Sequence, residues 1–357
     1  MIGGTNMSNI RLSKEELYDL ILAKLSKAGL DLAAAEETSK HLVFANLSGI
    51  HSHGAVRVEY YAERISKGGV TINPQVYFEK TGPSTGIFHG DNGQGHYIAN
   101  MASDKAIGMA KESGVAVVGV KCLSHSGTMS YYVDKIARHN LIGISMCQSD
   151  PMVVPFGGAE VYFGTNPIGF SAPRLEKDPI VFDMATSVQA WGKILDARSK
   201  NETIPDDWAV DSDGQATTDP HKVAGLLPIS GPKGYGLMMM VDILSGMMLG
   251  LPFGKHVSSM YEDLSSGRNL GHLFIVIDPS RFTDIYDFKK NVEIMVNELH
   301  DIKARDEGSS VYYPGEVSKN TYYKSVEEGI DIPESIVTYL KSNDIHYDQY
   351  GHSGIFN

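Results

Sequence analysis

Cysteine and tryptophan are scarce, two of each in 357 residues. Cys122 and Cys147 stand too far apart for a Cys-x-x-Cys metal or redox motif and are too few to staple a secreted fold, which points to a reducing cytosol. Positive charge is short as well: 31 Lys and Arg against 43 Asp and Glu leave a formal net charge of -12. That balance argues against a nucleic-acid groove or an anionic membrane surface as partner, since either demands a basic face. The stretch 1–9 lacks the apolar core of a signal peptide, and Met7 could serve as an alternative start. Residues 236–254 alone are apolar enough to raise the question of a membrane span. Asp242, Ser245, Gly246, Gly250 and Pro252 interrupt them, so the stretch reads as a buried helix. Internal repeats, low-complexity tracts and long linkers are missing.

What is present is an ordinary globular composition, 42% hydrophobic, long enough for two or three domains. Ser13 and Glu16 form a capping box, and Leu12 can staple onto Leu17, so a helix starts at Ser13. Its apolar positions Leu17, Ile21, Leu25 and Ala28 recur at helical spacing until Gly29 stops it. A second helix, capped by Asp31, runs to Gly49, and a third begins after Gly54 and ends at Gly68-Gly69. From Val76 onward short β-branched or aromatic runs at 85–89, 115–118, 142–147, 180–182 and 273–277 alternate with helical stretches at 97–111, 128–139 and 188–198. Two more helices, at 286–300 and 334–341, close the chain and can pack back on the first three. The expectation is an α/β fold: residues 10–75 and 300–342 form a helical domain, 76–299 an α/β domain, and 1–9 and 343–357 tails.

Nucleotide fingerprints fail. Gly90-Asp91-Asn92-Gly93-Gln94-Gly95 carries Ile98 where the last glycine of Gly-x-Gly-x-x-Gly should stand, and no acidic residue follows at the usual distance, so it reads as a glycine-rich turn before a helix. Gly-x-x-x-x-Gly-Lys-Ser/Thr is absent. Gly231-Pro232-Lys233-Gly234-Tyr235-Gly236, at the mouth of the apolar helix, is a better candidate, because backbone N–H groups and one cation can face an anion there. A structural turn with a solvated lysine explains it equally well.

Two glycine-flanked histidine corners could carry chemistry. In Gly49-Ile50-His51-Ser52-His53-Gly54, His53 leads at four-residue spacing to Arg57 and Tyr61, a candidate pocket wall along one face of the third helix. Arg57 can grip a carboxylate through two parallel hydrogen bonds. Against this stands a helix cap with a surface arginine. Ser124-His125-Ser126-Gly127 lies between a strand and a helix, and His125, with an unperturbed pKa near 6.5, suits proton exchange at neutral pH. A histidine that merely satisfies turn groups is the alternative. His51 and His53 could instead share a metal, as in an amidohydrolase, though no downstream cluster supplies further ligands. No Gly-x-Ser-x-Gly elbow supports a serine hydrolase.

These corners, together with Phe182-Asp183-Met184-Ala185-Thr186, Gly231 to Gly236 and Tyr313-Pro314-Gly315-Glu316, resemble the signatures of the malate/L-lactate dehydrogenase family that includes sulfolactate dehydrogenase. The likeness runs from about Arg11 to about Leu340, and includes Gly54 to Gly69, Met146 to Gly158 and Val188 to Lys193. It implies a non-Rossmann NAD-binding α/β domain at 76–299, which accounts for the failed glycine fingerprint, beside the helical domain. It implies His125 as acid/base, with Ser52, His53, Arg57 and Tyr61 around the substrate. Ser149, Asp183, Met184, Ala185, Lys233 and Pro314, Gly315 and Glu316 are the implied contacts to NAD, with no metal. The implied activity is oxidation of a small 2-hydroxy carboxylate, (S)-ureidoglycolate to oxalurate in allantoin and purine catabolism, by a cytoplasmic homodimer. Malate, lactate and sulfolactate are the alternative substrates.

Overall fold

The computed structural model describes residues 8–306 and 308–346. The chain opens with β1 (Asn9–Leu12), α1 (Lys14–Lys27), α2 (Leu32–Leu47) and α3 (Val58–Ser66). The capping box forms as expected: Ser13 Oγ accepts the Glu16 N–H, and the Glu16 carboxylate accepts the Ser13 N–H. Asp31 caps α2 through the Ala34 N–H. Next come β2 (Tyr77–Lys80), β3 (Thr85–Gly93), α4 (Gly95–Ser113), β4 (Val115–Leu123), α5 (Met129–Arg138), β5 (Ile142–Cys147), β6 (Ile168–Ala172) and β7 (Ile180–Met184). A less regular stretch holds α6 (Trp191–Lys200) and the short pair β8 (Ala209–Val210) and β9 (Gly225–Leu226). The chain then runs through α7 (Pro232–Ser245), β10 (Leu270–Ile277), α8 (Ile285–Asp301), α9 (Glu316–Glu328), β11 (Ile330–Pro333) and α10 (Glu334–Lys341).

Seven strands form one sheet in the order β2-β3-β4-β10-β5-β6-β7. Only β3 and β4 run parallel, and every other neighbouring pair is antiparallel. This is an α/β fold without the parallel sheet of a doubly wound dinucleotide domain. Alternation along the central strands sorts side chains to two faces. Ala116, Val118, Val120, Phe274 and Val276 meet α4 and α5 through Ile98, Ala102, Ala106, Met129, Tyr132 and Ile136. On the other face Val117, Ile144, Leu273 and Ile275 meet α7 through Val241. A separate core joins α1, α2, α3 and α10 with the β1/β11 ribbon, through Leu17, Ile21, Leu25, Leu42, Tyr61, Ile332 and Val337.

Three sequence readings change. The apolar stretch 236–254 is not a buried helix: α7 ends at Ser245, buries Met238, Val241 and Ser245, and leaves Leu237, Ile243, Met247 and Met248 exposed. Among the described residues no helix is long and apolar enough to cross a membrane. The third helix starts at Val58 rather than after Gly54, because Gly54 separates two short 3-10 turns, His51–His53 and Ala55–Arg57. Strands β1, β2, β6, β8, β9 and β11 and helix α9 were not expected. Ile-Gly-Phe-Ser-Ala in β6 has too little apolar pattern to announce a strand, and its pairing with β5 and β7 supplies what propensity does not.

The turn before α9 docks on the sheet edge. The Val181 N–H donates to Pro314 O, and Gly315 has a φ of +91° with its Cα so close to the strand that an added Cβ would lie 2.3 Å from Val181 O. Gly315→Ala meets both left-handed strain and this contact, so it should lower the free energy of unfolding by about 1 kcal/mol or more, read as a drop in urea midpoint at unchanged m-value.

Candidate active site

The first histidine corner is organised by a buried side chain that sequence reasoning missed. Asn46, on the last turn of α2, accepts the Ala55 N–H at 2.7 Å and places its Nδ2 3.0 Å from His51 Nδ1. Gly54 is required there, since a Cβ would lie 2.1 Å from Asn46 Oδ1. The two histidines of the corner part. His51 is exposed on Asn46, whereas His53 lies under the second corner, its ring 5.8 Å from that of His125 and nearly parallel to it. Among the described residues no three His, Cys, Asp or Glu side chains are placed to hold a metal ion.

Arg57 ends the second 3-10 turn, and Tyr61 follows one turn into α3. Although they do not share one continuous helix with His53, the break at Gly54 still aims all three at one place. Tyr61 Oη lies 2.7 Å from His125 Nδ1, and the Gly127 N–H approaches the same nitrogen at a long 3.4 Å. His125 Nε2 makes no hydrogen bond to the described residues. Arg57 donates from Nε to Ser52 O at 2.7 Å and from Nη1 to Tyr261 Oη at 2.6 Å. The structure therefore brings together Ser52, His53, Arg57, Tyr61 and His125.

The loop that carries His125 is held at almost every residue. Ser124 Oγ accepts the Gly95 N–H, Ser126 O accepts from Tyr132 Oη, Ser126 Oγ lies 3.2 Å from His272 Nδ1, and the Thr128 N–H donates to His41 Nε2 at 2.9 Å. Gly127, with a φ of +75°, is pressed onto two histidine rings: a Cβ would lie 2.3 Å from His41 Nε2 and 2.8 Å from His96 Nε2. His41, His96 and His272, all fully buried, escaped the sequence reading. Their one signal is a histidine set among apolar helix or strand neighbours, which does not separate a packing role from a chemical one.

Burial governs the charge of this cluster. It holds His125 well below the ordinary histidine range, with His53, Arg57, His96 and Arg268 adding repulsion against a second positive charge. His53 is pushed down to about 3 by burial and by Arg57. His96 and His272 reach about 3 by burial, with His53 also acting on His96. Burial pushes the Tyr61 hydroxyl up, so it stays protonated.

Of the residues implied for the cofactor, Ser149 and the approach to Lys233 lie on one hydrogen-bonded tract, whereas Asp183 and Glu316 have partners of their own. Ser149 Oγ lies 3.1 Å from Thr165 Oγ1, its N–H donates to Asn166 Oδ1, and the Thr186 N–H donates to Thr165 O. The Ile229 N–H donates to Thr186 O, which brings in the approach to α7. Met184 and Ala185 lie between Asp183 and Thr186 at the end of β7. Asp183 accepts the Ser130 N–H at 2.8 Å, so its carboxylate tethers the start of α5 five residues beyond His125. Lys233 is exposed on the first turn of α7, and a Cβ on Gly236 would meet nothing within 4 Å. Glu316 Oε2 lies 2.9 Å from His300 Nε2. An exposed cation at an open helix start suits the phosphates of a dinucleotide.

Known proteins resemble this chain over nearly its whole length. The sequence profile of the family described as malate/L-lactate dehydrogenase matches residues 12–341. The ureidoglycolate dehydrogenase (NAD(+)) of Escherichia coli (strain K12) is 53% identical over 341 residues, 96% of this chain and 98% of that protein. Among solved structures, the sulfolactate dehydrogenase from Methanocaldococcus jannaschii superposes with a TM-score of 0.87 at 34% identity, covering 94% of this chain and 96% of that one. The malate dehydrogenase from Pyrococcus horikoshii OT3 does so with a TM-score of 0.85 at 33% identity, covering 94% and 95%.

The buried histidines tie stability to pH. Unfolded, each takes up a proton as pH falls through about 6.5; folded, His96 and His272 refuse it until about pH 3. Their contribution is complete above pH 6.5 and is lost toward pH 3, at up to about 1.4 kcal/mol per pH unit for each. Unfolding free energies measured between pH 6 and 4 should fall steeply in the wild type, and less steeply by roughly that amount in His272→Gln; parallel slopes would contradict this origin.

Proposed function

Because this chain belongs to the malate/L-lactate dehydrogenase family, we propose that it oxidises a small 2-hydroxy carboxylate with NAD, and that its substrate is (S)-ureidoglycolate, with oxalurate as product. The observation that carries the reading is the convergence of Arg57 and His125 on one half-buried cluster, coupled through Tyr61 and the Ser52–His53 corner. The 53% identity to the Escherichia coli ureidoglycolate dehydrogenase supports this substrate over malate, lactate or sulfolactate.

Arg57 offers its guanidinium to the substrate carboxylate and so fixes the neighbouring carbon. His125 takes the hydroxyl proton on Nε2. That requires the tautomer with its proton on Nδ1, and the Nδ1–H donates to Tyr61 Oη both before and after Nε2 is protonated, so the ring keeps its orientation. Burial and the positive neighbours keep the imidazole neutral before the reaction and make the imidazolium a ready proton donor afterwards. NAD, when bound, supplies the hydride acceptor. Ser149, Asp183, Met184, Ala185, Lys233 and Pro314 to Glu316 are the residues that would hold it.

The same reading places the protein in the cytoplasm as a homodimer acting in allantoin breakdown. Support for the dimer comes from the exposed apolar surface of α7 and the turn after it, where Leu237, Ile243, Met247 and Met248 lie on the sheet face that also exposes Phe170.

NADH formation by the purified protein from (S)-ureidoglycolate, compared with malate, lactate and sulfolactate, tests the substrate; equal rates on all four would remove the assignment. His125→Ala should lower kcat by about two to four orders of magnitude. Because the base must be neutral, the acid limb of kcat/KM for oxidation should lie below pH 6.5, and a limb at or above 6.5 would place the proton elsewhere. Lys233→Ala should weaken NAD binding measured by calorimetry without substrate, and an unchanged affinity would take Lys233 out of the cofactor site.

A further inference from the structure

Arg57 is read above as the carboxylate clamp, yet a guanidinium on a three-residue 3-10 turn has a long, flexible stem. Its position is set from outside. Nε is fixed on Ser52 O, and Nη1 donates at 2.6 Å to Tyr261 Oη, with Met260 Sδ at 3.9 Å. Tyr261 belongs to the segment leading into β10, which is itself built around buried charge. The Met260 N–H donates to Asp150 Oδ2 at 2.8 Å, and Asp150 Oδ1 accepts from Arg268 Nη2 at 3.1 Å. Arg268 is 2% exposed, and its Nη2 also donates to Ser258 O. From α3, the buried Arg64 donates to the carbonyls of Met260, Glu262 and Ser266. The Tyr60 ring lies 5.7 Å from that of Tyr261.

We propose that Tyr261 is a specificity-determining positioning residue: its phenol oxygen, presented by the segment that Asp150, Arg268 and Arg64 immobilise, holds the Arg57 guanidinium in the orientation that reads a substrate carboxylate. This rests on the reading of Arg57 as the clamp and deepens it. Asp150 directly follows Ser149, so the backbone that contributes to the cofactor tract also fixes the clamp.

Tyr261→Phe keeps the ring and its packing and removes only the oxygen. The KM for a 2-hydroxy carboxylate should rise roughly ten-fold or more, the scale of a lost hydrogen bond to a charged group, with kcat within about two-fold and the melting temperature nearly unchanged. A second readout does not depend on turnover. The side-chain Nε–H resonance of Arg57, assigned by its loss in Arg57→Lys, should be sharp and protected in the wild type and shifted or broadened in Tyr261→Phe. Both changes together support the proposal. An unchanged KM, with or without a change in the resonance, overturns it, and so does a parallel loss of kcat and melting temperature, which would mark a purely structural residue. A wild type that makes no NADH from any 2-hydroxy acid, while its Arg57 resonance still responds to Tyr261→Phe, would sink the functional reading and support the hold of Tyr261 on Arg57.

Discussion

The 2.7 Å approach of Tyr61 to His125 joins two separately built cores. Tyr61 is part of the helical core with α1 and α2, whereas His125 sits at the end of β4, whose side chains pack against α4 and α5. A base works only when held within about 0.5 Å of its productive position, at hydrogen-bond distance from the group it deprotonates, so the relative placing of the two cores becomes a condition of the chemistry. The start of α4 supplies the rigidity. Tyr97 packs against both cores, His96 stands edge-on to Tyr61 with ring centroids 5.1 Å apart, and Gly95 lets α4 begin against the backbone of Ser124 and His125. A glycine-rich stretch that fails as a nucleotide fingerprint thus finds its explanation in close packing against the loop of the base.

The same junction sets the electrostatics. Four imidazoles, His41, His53, His96 and His125, occupy a volume where burial holds each of them neutral, while Arg57 keeps its charge. The cluster is polar but poor in negative charge, so an entering carboxylate meets one cation and no competing anion from these side chains. Neutral rings suit that role better than charged ones, since a second buried cation would cost several kcal/mol with no fixed partner. The liability is in acid, where the unfolded chain takes up the protons that the folded one refuses.

Much of this was legible in the sequence, for identifiable reasons. Ser13 with Glu16, Asp31 before α2, and the β-branched runs of β4, β5 and β10 are local signals, and each formed the element it announced. The two histidine corners were visible because glycines flank them. The break of the third helix at Gly54 was not, because the four-residue spacing of His53, Arg57 and Tyr61 mimics one helical face, while the true cause is Asn46 reaching back from α2. Asn46, His41, Asp150, Tyr261 and Arg268 were missed for a shared reason: each acts on a residue distant in the chain, from nine positions for Asn46 to 204 for the Tyr261–Arg57 contact. Periodicity and capping rules describe neighbours within a turn or two. They do not reach that far.

Selectivity among 2-hydroxy acids has to be found away from the parts described as shared machinery. A base and a carboxylate clamp recognise the one fragment that ureidoglycolate, malate, lactate and sulfolactate have in common, so Arg57 and His125 separate acids from simple alcohols but not one acid from another. The remainder of the substrate must be read by groups around the rim of the cluster. Ser52 lies there, its hydroxyl 3.0 Å from His53 Nδ1 and its Cβ facing Gly192 on the first turn of α6. A side chain at position 192 would approach Ser52 to about van der Waals contact, so glycine leaves room beside the clamp that any larger residue would fill. A ureido group is planar, polar and longer than a methyl, and it needs that kind of space together with hydroxyl and backbone partners left unpaired by a smaller acid. Discrimination of this sort works mainly by penalty, because a site built to hydrogen-bond a polar group loses most when the group is missing.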